Sequence, residues 1–505
     1  MTVRALLEAV VRVLAPEHRP DQPLDARSLD VACTGVSLDS RQAAPGSVFF
    51  ALRGQQVDGA AFAAQAIARG AVAVVAERPP DEPADVPWVV VGDARLALAL
   101  AAAEFYGHPS RRLRVVGTTG TNGKTTTSWL VAAIFEAADI RCGVMGTVSY
   151  RMAAREVPAA RTTPEAPDVQ QMLDEMAGAG CGACAMEVSS HALALRRVDG
   201  TRFAAGIFTN LTRDHLDFHG DMDSYFTAKR RLFEMLPAGA PAVVNVDDAR
   251  GGALVEIVER PVTYALDAAA DVTAGPLETS LGGLRFEART PAGPVRVRSR
   301  LTGRPNAYNL LAAVGAATAL DVPVEAIERG IEHLDAVPGR FQVVSGADDE
   351  VTVVVDYAHT DDALRNLLET ARALAPARVI TVFGAGGDRD RQKRPLMGMV
   401  AARLSDVVVL TSDNPRGEDP ARILADVRGG AEGEARQGRV EVMSIIDRRE
   451  AIATAVGLAR PGDIVLVAGK GHEQYQEIGV ERRPFDDVVE AREALAARRA
   501  APRHR

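Results

Sequence analysis

Strand-like apolar runs alternate with alanine-rich helical stretches along nearly the whole chain, and the polar residues fall after each run and before the next helix. That order predicts parallel α/β sheets whose polar residues sit at the carboxyl edge, where open sheets bind ligands. The opening MTVRALLEAVVRVLAPEHRP carries charges through its apolar stretch and predicts an amphipathic helix rather than a secretory signal. VAVVAE and WVVV then read as strands around a proline-rich break. RVVGTT, CAMEVSS, AAGIFTN and PAVVNVDD supply a second set, followed by a polar β-like excursion, LGGLRFEARTPAGPVRVRSRL, and the helical NAYNLLAAVGAATAL. Val337, Pro338, Gly339 and Arg340 read as a linker. Beyond it lie VVVDYAH, VITVFGAGGDRD, VVVLTSDNPR and DIVLVAGKGHE. The expected division is therefore three α/β blocks, 1–108, 109–338 and 339–505.

Length agrees, since 505 residues exceed one hydrophobic core and fit about three domains. Hydrophobic residues make up 47% and charged residues 25%, an ordinary globular composition, and no uncharged run approaches the roughly 20 residues that span a bilayer. A cytoplasmic protein without membrane insertion is expected. The net charge of -9 argues against nucleic acid as a partner, because such binders concentrate lysine and arginine. Cys33, Cys142, Cys181 and Cys184 are too few for a disulfide framework, and the C-x-x-C at Cys181 lacks a second pair to complete a zinc set. They read as small core residues.

Candidate chemistry starts at RVVGTTGTNGKTTTSW, where an apolar run breaks into a glycine-rich loop, then Gly-Lys-Thr, then a helix-compatible segment. Such a loop points backbone N–H groups at a polyphosphate, with Lys124 reaching the terminal phosphates and the Thr125 hydroxyl available to Mg²⁺. Thr118 stands where the common motif has its first glycine; the glycines fall at Gly117, Gly120 and Gly123. A flexible strand-to-helix turn with an incidental lysine is the bland alternative. Glu187 ends a buried-looking strand and could complete a magnesium site, or serve only as a cap or salt bridge. FTNLTRDHLDFHGD crowds Arg213, Asp214, His215, Asp217, His219 and Asp221 together, which suits a second cation or a phosphate contact but equally a hydrogen-bonded loop. Lys229 follows on a helix, where a lysine taken alone reads as solvated.

In the third block, Arg389, Arg391, Lys393 and Arg394 lie among glycines, and Asp413, Asn414 and Arg416 lie on a turn stiffened by Pro415. Arginine grips a carboxylate bidentately and aspartate attracts an ammonium, so this turn could hold both ends of an amino acid; a structural loop is the rival. Lys470, His472 and Glu473 occupy another strand-end loop. No Ser-His-Asp or Cys-His set is evident, and Ser189 and Ser190 lack a nucleophile elbow.

TGTNGKTTT, TTPE, MEVSSHAL, FTNLTRDHLDFHGDM, the Lys229 helix, GRPNAYN, VPGRF, VVDYAHT, GAGGDRDRQKRP, DNPR and AGKGHE occur in that order. Together they resemble the Mur ligase family, ATP-dependent amide-forming enzymes of peptidoglycan precursor synthesis. The resemblance implies a uridine-nucleotide domain, a central phosphate-loop ATPase domain with a parallel sheet, and a C-terminal Rossmann-like domain that delivers the amino acid. It implies ATP contacts at Gly120, Thr121, Asn122, Gly123, Lys124, Thr125 and Thr126. Asn306 and Asn309 would meet the adenine, joined by Arg340 and Asp356. Leu38, Ser40, Gln55, Gln56 and Val57 would hold the uridine nucleotide, and Thr162, Thr163, Ser189 and Arg197 the muramoyl dipeptide. Glu187 and His215 would serve Mg²⁺ beside Thr125. Lys229 would be carbamylated, which turns a cation into a metal-organising anion and reverses its solvated reading.

The resemblance further implies addition of the third residue to UDP-N-acetylmuramoyl-L-alanyl-D-glutamate by a monomer, through an acyl phosphate. DNPR resembles the enzymes that take meso-2,6-diaminopimelate, with Arg416 on the distal carboxylate and Arg389, Asp413, Asn414, Pro415, Gly469 and Glu473 completing the pocket. L-Lysine is the alternative amino acid, and a nucleotide-regulated binding protein the alternative class. Leu195, Pro305 and Asp361 depart from the family pattern: the first weakens a dipeptide contact, and the others read as local backbone adjustments.

Overall fold

The computed structural model describes residues 1–20, 24, 27–54 and 57–500. Among these residues the strands form sheets of 4, 12 and 6 members and a separate 2-stranded hairpin, one sheet to each of three α/β domains.

The first helix, Val3–Val13, buries Val3, Leu6, Leu7 and Val10, the i, i+3, i+4, i+7 stripe of an amphipathic helix, and Thr2 caps it by accepting the Ala5 N–H at 3.1 Å. That stripe packs with the helix Ala94–Phe105 against a parallel sheet of Gly35–Ser37, Ser47–Ala51, Ala73–Ala76 and Trp88–Val90. The hydrophobic pattern names only the last two of these strands.

In the 12-stranded sheet, Arg114–Thr119 lies between Phe203–Phe208 and Ala183–Glu187, parallel to both. The chain first builds Cys142–Met145 and Ala183–Glu187 on one side of it, then crosses to build Phe203–Phe208, Ala242–Asn245 and Pro261–Ala265 on the other. The carboxyl end of Arg114–Thr119 is thus a point where strand order reverses, and a crevice opens there. Antiparallel hairpins close both edges: Ser149–Met152 with Arg155–Pro158, and Gly283–Thr290 with Gly293–Ser299. The latter is the polar β-like excursion. Lys124–Ala137, Arg304–Ala319 and Val324–His333 cover one face through Leu130, Ile134, Leu310 and Ile327; Ala166–Gly178 and Met222–Glu234 cover the other through Leu173 and Leu232. Each such fully buried apolar side chain contributes roughly 1.5–3 kcal/mol.

The third sheet runs Gln342–Val343, Thr352–Asp356, Ile464–Ala468, Val379–Phe383, Val407–Leu410, Glu441–Ser444, parallel but for the first. VITVF and VVVL are buried at every residue because helices cover both faces. Residues 337–340 form a tight turn in which Arg340 N–H bonds the Val337 carbonyl at 3.0 Å, so the expected linker is packed. All four cysteines are buried and unpaired. Among the described residues no helix is long and apolar enough to cross a membrane.

Candidate active site

The strand Arg114–Thr119 delivers residues 120–123 to the start of the helix Lys124–Ala137. Gly120 has φ +148° and Gly123 φ +90°; a Cβ on the first would lie 1.8 Å from Thr209 Oγ1, and on the second 2.3 Å from Asn309 Oδ1. No side chain caps this helix, so its first N–H groups remain for a ligand. The loop is pinned from the neighbouring strand end: Asn122 N–H donates to Asn210 Oδ1 (2.9 Å) and the Thr121 hydroxyl to the Thr212 carbonyl (3.1 Å). Lys124 is half-buried and donates to the carbonyls of Gly120 (2.9 Å) and Thr121 (2.8 Å). Burial lowers its pKa, against the attraction of Glu187 and Asp214. Thr126, Asn306, Asn309, Arg340 and Asp356 line the same cavity. Asn306 bonds the Thr302 carbonyl at 2.8 Å and accepts from Asn309 at 3.1 Å.

Glu187 is 1% exposed and accepts from Thr125 Oγ1 (3.0 Å), Thr147 N–H (2.8 Å) and Thr147 Oγ1 (2.9 Å). Its partners are hydroxyls and an amide, and no lysine or arginine forms an ion pair with it among the described residues. A buried carboxylate with no direct ion pair, beside a threonine hydroxyl at a helix N-terminus, has the donor chemistry a hard cation needs. Among the described residues no three His, Cys, Asp or Glu side chains converge as a metal cage.

Lys229, on the helix Met222–Glu234, is 1% exposed; its Nζ donates to the Gly120 carbonyl at 2.7 Å and lies 4.4 Å above the Tyr225 ring. Burial and then the charge of Lys124 hold its pKa well below the lysine range, against Asp214. His215 takes a left-handed conformation (φ +54°), 3.4 Å from the Asp214 carboxylate and 4.8 Å from the His191 ring. Burial keeps it neutral despite Asp214, helped by His191, Lys124 and Lys229.

A second cavity of about 1190 Å³ contains Arg389, Asp413, Asn414, Arg416, Gly469 and Glu473 and shares Thr147, Thr162, Asp214, His215, Tyr357 and His359 with the first. Lys470, wholly buried, donates to Asn414 Oδ1 and Glu473 Oε2, both at 3.0 Å, and lies 4.0 Å from Asp413. Burial raises the Glu473 pKa and Lys470 opposes it. Gly469 (φ +117°) brings its backbone so near that a Cβ would meet Asp413 Oδ2 at 2.5 Å. Pro415 is buried and stiffens the turn from behind.

Of the residues expected at the nucleotide dipeptide, Thr162 lines both cavities. Thr163 is buried, donating to the Glu187 carbonyl at 2.8 Å and accepting Ser189 N–H at 3.1 Å. Ser189 caps the helix Ser190–Ala194, which Leu195 terminates. Arg197 pairs with Glu165 at 2.9 Å. Leu38, Ser40 and Val57 lie in the first domain, outside both cavities; Ser40 is buried and donates to Gln65 at 2.6 Å. Gln55 and Gln56 lie outside the described residues.

Sequence patterns of the Mur ligase family match in three consecutive stretches: its catalytic domain at residues 32–106, its middle domain at 118–317 and its glutamate ligase domain at 339–471. The UDP-N-acetylmuramoyl-L-alanyl-D-glutamate--2,6-diaminopimelate ligase of Geobacter metallireducens is 47% identical, over 97% of this chain and 98% of that one. The chain belongs to the Mur ligase family. The ligase of the same name from Synechococcus elongatus is 44% identical over 99% of this chain and 100% of its own. A solved structure of a ligase of that name superposes with TM-score 0.68 at 37% identity, covering 95% of this chain and 98% of that one. The MurF ligase of Thermotoga maritima, solved with ADP, shares the fold at TM-score 0.61 and 18% identity, with 92% and 97% covered.

Several participants escape the Mur ligase motifs. Thr147, which holds Glu187, follows a strand with nothing in its sequence to mark it. Asp362 accepts from Asn122 (2.8 Å) and Thr212 (3.1 Å), tying the third domain to the phosphate loop. Arg340 reaches across in the same way to Thr125 Oγ1 at 3.0 Å. Asp361 is the first residue of the helix Asp361–Ala373, where an acidic side chain suits the helix dipole as proline suits the geometry; Pro305 lies in the first turn of Arg304–Ala319.

Proposed function

We propose that this chain joins meso-2,6-diaminopimelate to the D-glutamate of UDP-N-acetylmuramoyl-L-alanyl-D-glutamate, converting ATP to ADP and phosphate. One observation carries the reading: the phosphate-loop cavity and the Arg416 cavity share walls at Thr162, Asp214 and His215, so an activated acid and an amine can meet there. The names of relatives 44% and 47% identical over nearly the whole chain point the same way.

In this reading an oxygen of the D-glutamyl carboxylate attacks the γ-phosphorus and the bond to the ADP oxygen breaks, giving an acyl phosphate. Lys124 and the helix N–H groups stabilise the charge that develops on the transferring group. The neutral amine of diaminopimelate then adds to the acyl carbon, the nitrogen gives up a proton to the departing phosphate or water, and the tetrahedral intermediate expels phosphate with the C–O electron pair. Thr125 and Glu187 would hold Mg²⁺, with His215 and carbamylated Lys229 nearby. The ion would supply positive charge to the phosphates. Lys229 suits carbamylation because burial favours its neutral amine, the form that adds to carbon dioxide. Arg340 and Asp362 hold the third domain on the phosphate loop, so amine and acyl phosphate are presented together and water is kept away.

Arg416 would take the distal carboxylate of diaminopimelate, with Arg389 beside it, while Asp413 and Glu473 face the ammonium groups. Lysine has no second carboxylate to offer Arg416. The uridine nucleotide would lie on the first domain near Leu38, Ser40 and Val57, and the dipeptide at Thr162, Thr163, Ser189 and Arg197. The boundaries 1–108, 109–338 and 339–505 are supported by each sheet falling within one segment. The reading implies a cytoplasmic monomer. With ¹⁸O in the D-glutamyl carboxylate, label appears in the released phosphate; its absence would refute the acyl-phosphate route.

A further inference from the structure

The cavity proposed for diaminopimelate contains a carboxylate the reaction does not call for. Glu477 lies on the hairpin Tyr475–Ile478 with Glu481–Pro484 and lines the same wall as Arg416. A carboxylate beside a pocket for a carboxylate would repel its ligand unless its own charge were satisfied, and here both oxygens are taken. Oε2 accepts from Arg416 Nε at 2.9 Å and Oε1 from Arg482 Nη2 at 3.0 Å. Burial opposes ionisation, yet Arg482 and Arg416 hold the Glu477 carboxyl below the usual glutamate range, so it is charged at neutral pH.

The contact fixes Arg416 by one edge. Its Nη1 donates to the Gly387 carbonyl at 2.9 Å, while Nη2 makes no hydrogen bond to protein among the described residues. The guanidinium is therefore held at Nε and one terminal nitrogen, and Nη2 is left for a ligand. The backbone is held as tightly. Arg416 N–H donates to the Glu477 carbonyl (3.0 Å), Gly479 N–H to the Arg416 carbonyl (2.8 Å) and Glu477 N–H to Asn414 Oδ1 (3.0 Å). Gln476 Nε2 donates to the Asp413 carbonyl at 2.7 Å. The hairpin thus backs the whole 413–416 turn, and Arg416 keeps a left-handed φ of +50° within it.

We propose that Glu477, itself held by Arg482, is a positioning residue for amino-acid selection, fixing Arg416 so that its free edge faces the distal carboxylate of the incoming amino acid. This rests on the diaminopimelate reading given above. An arginine free to swing could turn into solvent and accept lysine at little cost. One fixed by Glu477 cannot, and a substrate lacking the second carboxylate leaves its Nη2 edge without an acceptor.

The test is steady-state kinetics of the full-length enzyme with each substrate varied, for Glu477→Leu and Glu477→Gln. For Glu477→Leu, KM for diaminopimelate rises about tenfold, the weight of one charge-assisted hydrogen bond, while KM for ATP stays unchanged and preference over lysine falls. Glu477→Gln keeps one oxygen acceptor for Arg416 Nε and recovers part of the loss. An unchanged KM for diaminopimelate in Glu477→Leu overturns the proposal. So does an equal rise in KM for all substrates, which would mark general damage from the hairpin. Wild-type enzyme that releases no phosphate in response to diaminopimelate would instead sink the functional reading itself, before any variant is compared.

Discussion

In the phosphate loop the backbone does the positioning: Gly120 and Gly123 take conformations and approaches that leave no room for a Cβ, and an uncapped helix end faces the cavity. In the Arg416 cavity side chains do it: Lys470 is clasped between Asn414 and Glu473, and Arg416 is held by Glu477. Backbone geometry serves a ligand common to many enzymes, because any polyphosphate offers the same oxygens to the same N–H groups. Side-chain geometry serves discrimination, since charges set at fixed separations distinguish one amino acid from another. The two regions should therefore fail differently when changed.

The largest effect belongs to the first. In the proposed reaction Lys124 is the cation at the transferring phosphoryl group, so Lys124→Met should lower kcat by about a thousandfold, with KM for diaminopimelate nearly unchanged. A comparable rise in that KM would show that the two cavities are not separable. Arg416→Ala should do the reverse, lowering kcat/KM for diaminopimelate by about a hundredfold while leaving ATP binding intact. Equal loss of both, measured by kinetics and nucleotide titration, would refute the assignment of Arg416.

A smaller effect sharpens the comparison at Lys229, which belongs to the phosphate side but depends on a side-chain pKa. Because burial and Lys124 depress that pKa, the neutral amine forms at lower pH than on an exposed lysine, and acidification protonates it. Carbamylation then fails, so activity should drop on acidification. At neutral pH, removing bicarbonate should cost several-fold, and returning it should restore the rate. Indifference to bicarbonate would argue that Lys229 acts as a plain amine.

How legible each region is follows from the same difference. RVVGTTGTNGKTTTSW could be read directly, because a phosphate loop is one contiguous strand, turn and helix. DNPR and AGKGHE could be located as strand-end loops, but their joining through Lys470 could not, since the strands on either side of Val379–Phe383, not neighbours in the chain, bring them together. Glu477, Thr147 and Asp362 carry no signal in the sequence. Lys229 was the reverse case: on its own a helical lysine reads as solvated, and only the ordered series of motifs gave it another role.

The sequence by itself determined the alternation of strands and helices, the place of the polar loops at the carboxyl edges and the glycines that admit a phosphate, since these depend on neighbours a few residues apart. Only the tertiary structure decided that Lys229 is buried and its pKa lowered, that Glu187 is held by Thr125 and Thr147, and that Arg416 is fixed by a hairpin. Burial and electrostatic pairing depend on which distant segments pack together, and that is set by the folding of the whole chain.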